Sequence, residues 1–120
     1  VKFLQTAGFP HAERRALCGN LDRGDITGTP GLVWECKAGA AATSASDNQV
    51  IAWLKETEVE RVNAKADLGT LVVQRARKHP RDWWAVTTDR HGNPVWTRLA
   101  SRIIALRAMG YGNPIGEDGP

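Results

Sequence analysis

The stretch from Arg23 to Ala38, RGDITGTPGLVWECKA, constrains this chain more than any other. Asp25 precedes a turn containing Gly28, Pro30 and Gly31, and a strand-like run then delivers Glu35 and Lys37 with one residue between them. Side chains alternate faces along a strand. A strand over Leu32 to Lys37 therefore puts Glu35 and Lys37 on one side and Leu32, Trp34 and Cys36 on the other. The apolar side can be buried and the charged side can be a site. The turn predicts a hairpin with Asp25-Ile-Thr as its short first arm. Facing residues of an antiparallel pair lie about 4.5–5.5 Å apart, so Asp25 and Glu35 are expected to converge.

Two converging carboxylates with an ammonium beside them suit phosphodiester hydrolysis. Mg²⁺ is a hard, oxygen-seeking cation that needs only one or two protein carboxylates and keeps several waters. It activates a water and offsets charge on the phosphate, and a lysine assists both tasks. Asp25 and Glu35 are the candidate ligands of Mg²⁺ (or Mn²⁺), and Lys37 the catalytic amine.

Composition narrows the setting. A chain of 120 residues has room for a single core of one sheet and a few helices. The 16 Lys and Arg against 13 Asp and Glu permit a nucleic-acid partner without demanding one. Two cysteines, Cys18 and Cys36, are too few for a disulfide framework and lack metal-site spacing, so free thiols are expected. No run is long and apolar enough to span a membrane, and no signal-peptide pattern opens the chain; both point to a cytoplasmic protein. Val1 in place of Met implies an incomplete or processed start.

Along the chain, residues 1–7 look like the end of a helix stopped by Gly8. His11 to Leu17 is expected as a strand. Gly39 to Ser46 is a run of small residues leaving the sheet, with Asp47 as N-cap. Val50, Ile51, Trp53, Leu54, Val59 and Val62 mark an amphipathic helix to about Lys65, its acids on the opposite side. Gly69 ends the crossover, and strands follow at residues 70–74 and 83–88. Strand, helix, strand requires a parallel pair. Trp96, Leu99, Ile103 and Leu106 predict a closing helix ended by Gly110, and residues 111–120 a loose tail.

This order, together with AERR at 12–15, DRGDITG at 22–28, VWECK at 33–37, the helix WLKETEVERVNAKAD and the following LVVQRAR, resembles the PD-(D/E)xK nuclease superfamily. The similarity is to its Holliday-junction-resolvase-like members from actinobacterial phages and prophages. The resemblance covers roughly residues 8–88, and Gly24 stands where the family usually has Pro. It implies an α/β, restriction-endonuclease-like three-layer core over residues 1–110, with a mixed sheet flanked by helices. It also implies a Mg²⁺-dependent endonuclease for branched DNA, commonly a homodimer, in the bacterial host's cytoplasm. Asp25, Glu35 and the backbone carbonyl of Cys36 look like the metal ligands and Lys37 like the catalytic lysine. Gln49, in Gln49-x-x-x-Trp53, resembles a helix glutamine of some branches. A further family Glu from the first helix would lie upstream of Val1; Gln5 is the polar residue of that helix able to reach, and Glu13 could stand in.

Arg14, Arg15 and Arg23, and the second group Arg75, Arg77, Lys78 and Arg81, are candidate phosphate contacts that position DNA without reading bases; surface charge is the plainer alternative. Glu56, Glu58 and Glu60 read as a solvated helix face, or as a face opposed by something basic. The five tryptophans read as core. One of Trp83 and Trp84 must face outward if both lie in one strand, where it could cover a dimer surface or stack on a base. Rival readings are a nuclease of the same fold for flaps, ends or duplex, a DNA-binding module without catalysis, and an assembly domain.

Overall fold

Two short strands, β1 (Glu13–Arg14) and β2 (Ile26–Thr27), pair antiparallel in the computed structural model, which describes residues 1–14 and 24–112. Four longer strands, β3 (Leu32–Lys37), β4 (Leu68–Val73), β5 (Trp84–Thr88) and β6 (Pro94–Arg98), form one sheet in sequence order. β3 and β4 are parallel and the other two pairs antiparallel. A parallel neighbour needs a crossover, and α3 (Asp47–Ala64) supplies it, preceded by the short α2 (Gly39–Thr43). α1 (Lys2–Thr6) opens the described chain and α4 (Leu99–Ala108) closes its regular structure.

Helices cover both faces, so the protein is an α/β fold with a mixed four-stranded sheet at its centre. On one face Leu4, Phe9, Trp34, Val72, Ala85, Leu99, Ile103 and Leu106 pack together. On the other, Val50 and Leu54 of α3 pack on Leu71, Val73 and Val86. The alternation expected of β3 holds in part: Leu32 and Trp34 enter the first cluster, whereas Cys36 is exposed.

Several expectations are corrected. The N-cap of α3 is Ser46, whose hydroxyl accepts the Gln49 N–H at 3.1 Å. Asp47 falls in the first turn, where its charge still favours the helix dipole. The small-residue run forms α2 instead of simply leaving the sheet, and Gly69 lies inside β4. Trp96 belongs to β6, not to the closing helix. Its spacing to Leu99 mimics a helical step, but the Asp89 carboxylate accepts the N–H groups of His91 and Asn93 and turns the chain back onto β5. Trp83 lies just before β5, so the two tryptophans do not share a strand, and each is partly buried against a different cluster. Tyr111 is anchored rather than loose: its N–H donates to Leu106 O and its hydroxyl to Asp67, each at 3.0 Å. Residues 113–120 of the expected tail, and Cys18, lie outside the described residues. No helix of the described residues is long and apolar enough to cross a membrane.

Candidate active site

The site forms where β3 ends. Asp25, immediately before β2, donates its N–H to Trp34 O at 2.9 Å, and its carboxylate accepts the Cys36 N–H at 2.8 Å. The expected hairpin is therefore only partly formed. The ladder partner of β2 is β1, and the Asp25 side chain takes the acceptor position that a paired strand's carbonyl would fill beside Cys36. Gly24 holds φ at +92°, which a proline ring locked near −65° cannot adopt.

Glu35 and Lys37 share the α3 face of β3, as alternation requires, but α3 lies over them, so that face is not open. Glu35 is 6 % exposed. Its carboxyl meets the Asp25 carboxyl on one side and Glu60 of α3 on another, and Lys37 Nζ lies 3.7 Å from its Oε1. Burial pushes the Glu35 carboxyl above its ordinary value and the neighbouring Asp25 charge adds to this, while the Glu60 hydrogen bond and Lys37 oppose it. Lys37 is half-buried, with Nζ 4.0 Å from Glu56 and 5.5 Å from the centre of the Trp53 ring, within cation–π range.

Glu60 and the Trp53–Glu56 clasp on Lys37 are what the sequence reading missed. The expected apolar stripe of α3 fails in its second half: Val59 and Val62 are each 59 % exposed, while Thr57 and Glu60 are buried. The usable signal is Gln49, Trp53, Glu56 and Glu60, spaced i, i+4, i+7 and i+11, which share one flank of a helix. The acids of this helix also meet basic partners from the chain itself, Glu56 with Lys37 and Glu58 with Arg61 at 2.6 Å.

Of the other candidates, Gln49 lies on that flank in the first turn of α3 with its side chain exposed. Glu13 is exposed on β1 opposite Thr27; the acid brought against Glu35 from outside the motif is Glu60. Gln5 donates to Ala12 O at 2.9 Å and so ties α1 to β1. Arg14 is exposed beside β2, and Arg15 and Arg23 lie outside the described residues. The Arg75 group leaves the end of β4 next to the site, since Gln74 N–H donates to Lys37 O at 2.9 Å. Arg77, Lys78 and Arg81 are exposed there.

The donor set fits a hard cation. A strand residue's N–H and C=O point to the same edge, so the Cys36 carbonyl lies on the Asp25 edge, near two carboxylates in mutual contact. Carboxylate and carbonyl oxygens suit Mg²⁺ or Mn²⁺. Among the described residues no group of three or more His, Cys, Asp or Glu is arranged to hold a metal ion. Family models, curated proteins and solved structures yield no match to this chain.

Proposed function

We propose that the chain is a metal-dependent DNA endonuclease of the PD-(D/E)xK type, with a restriction-endonuclease-like core, acting on branched DNA as a homodimer. The observation that supports this most is the meeting of Asp25, Glu35 and Lys37 at the end of β3, with Lys37 Nζ 3.7 Å from Glu35. In this reading Asp25, Glu35 and the Cys36 carbonyl hold Mg²⁺. When bound, the ion supplies a polarised phosphate oxygen and a more acidic water. Lys37 orients the attacking water and stabilises the charge of the pentavalent phosphate. Trp53 and Glu56 hold the lysine's ammonium between them, and Arg14, Arg75 and their neighbours grip flanking phosphates.

Mixing the protein with a labelled four-way junction and Mg²⁺ tests this. Cleavage is expected from the intact protein, and Lys37→Ala is expected to lower the rate by about 10²-fold or more. An intact protein that cuts nothing, or a Lys37→Ala variant as active as the parent, removes the mechanism. Running flap, linear-end and plain duplex substrates beside the junction decides among DNA geometries.

A second reading has an observation of its own. Glu35 is buried against Glu60, an arrangement that would also suit a DNA-binding module without catalysis. That module would bind junctions with steep salt dependence and show no Mg²⁺-dependent turnover.

A further inference from the structure

The α3 face of the sheet is read in cross-strand rows. Lys37, Val73, Trp84 and Arg98 form one row, and Glu35, Leu71, Val86 and Trp96 the next. α3 covers the inner part through Val50 and Leu54, which pack on Leu71, Val73 and Val86. It does not extend over the outer end, where Arg98 is exposed and Trp96 is 38 % exposed. There Trp84 and Trp96 meet edge to face at 6.0 Å, and the Arg75 guanidinium lies 4.6 Å over the Trp84 ring. Arg75 is fixed by donating to Asp82 O at 3.1 Å, and Arg98 by donating to the Asp82 carboxylate at 3.2 Å.

We propose that this outer half, Trp84 and Trp96 with Arg75 and Arg98, is a binding platform for an unpaired stretch of DNA. At about 4.8 Å per strand spacing, its far strand β6 lies about 14 Å across the sheet from Lys37. Its assignment to DNA rests on the nuclease reading; the surface chemistry does not.

Charge and shape choose the occupant. Arg81 and Arg98 both pair with the Asp82 carboxylate, and Arg75, Arg77 and Lys78 add three more cations in the preceding turn, so an anionic partner is favoured. A duplex keeps its base faces inside the stack and would use only the arginines, whereas an indole presents a flat apolar surface to a base already out of the stack. A second copy of this chain would bring the same arginines against themselves, which a two-fold interface makes unfavourable. Lys37 and Arg75 are linked through the backbone, since the Gln74 N–H donates to the Lys37 carbonyl and Arg75 comes next in the chain.

Fluorescence anisotropy of a labelled oligothymidylate, with the full chain in EDTA, tests this without requiring hydrolysis. Binding that weakens with salt is expected, with Trp96→Ala losing about tenfold or more in affinity. Trp96→Phe should keep most of the affinity, which separates stacking from a folding defect. Arg98→Gln should reduce the slope of log affinity against log salt by about one. The proposal is overturned if Trp96→Ala binds like the parent. It is also overturned if duplex and single strand bind equally in every variant, or if sedimentation shows Trp96→Ala splitting a dimer while oligonucleotide affinity stays unchanged. Trp96-dependent binding by a protein that cuts no DNA keeps this proposal and removes the nuclease; junction cleavage untouched by Trp96→Ala, with no oligonucleotide binding, does the reverse.

Discussion

The two halves of α3 are built on different rules. The first half follows the amphipathic pattern: Val50 and Leu54 are buried against the sheet, and Ser46 caps the start. The second half inverts it, turning Val59 and Val62 to solvent and burying Thr57 and Glu60. The first half therefore holds the helix onto the sheet. The second gives up apolar contact and in exchange places an acid against Glu35, beside a helix flank that also holds Lys37. A stretch that departs from its hydrophobic pattern in this way is where a site is to be sought.

The comparison can be broken most forcefully in the first half. Leu54→Ala should destabilise the protein by about 2–4 kcal/mol in urea denaturation, and a smaller loss would mean that α3 is held elsewhere. In the second half the expected effect is a pH dependence. The Glu35 carboxyl is raised in the folded state, so the native protein binds more protons than the unfolded chain between the ordinary carboxylate value and the raised one. Its contribution is unfavourable once ionised, and stability should fall as pH rises through that window. Glu35→Gln should flatten the decline, as read from thermal midpoints against pH, and Mg²⁺ should raise the midpoint of the parent more than that of the variant. A parent and variant with parallel profiles would show that the buried acid costs the fold nothing.

Smaller effects sharpen the contrast. Ser46→Ala should cost about 1 kcal/mol through loss of the cap, measurable by the same denaturation. Val62→Lys should shift stability by no more than about 0.5 kcal/mol. A large loss there would mean that the outward valines are covered in solution and that the inversion of α3 is only apparent.

What could be read from the residues depended on whether a local rule was enough. β3 was legible because an apolar run, Leu32-Val33-Trp34, follows a Gly/Pro turn and ends in an acid and an amine two residues apart, and the parallel β3–β4 pair followed from the long helical connection between them. Trp96 was misread because a single spacing fits two periods, and only the Asp89 turn and the pairing with Val86 decide between them. Asp25 was assigned to a hairpin ladder because spacing fixes which residues can approach and not whether backbone or side chain makes the bond. Glu60 was read as solvated because a glutamate on a helix is most often exposed, and its burial depends on a strand residue 25 positions earlier in the chain.

The sequence by itself determined that the chain is α/β, that an acid and an amine occur at a spacing one strand presents on one face with a second acid ten residues earlier, and that a group of basic residues follows the fourth strand. These depend on side-chain alternation, helical period and turn chemistry, which act over a few residues. Only the tertiary structure decided that α3 closes over Glu35, that Trp53 and Glu56 hold Lys37, and that Trp84, Trp96, Arg75 and Arg98 share an open end of the same sheet face. Those depend on which surfaces meet when the crossover helix settles on the sheet, and burial and contact between distant residues are properties of that packing alone.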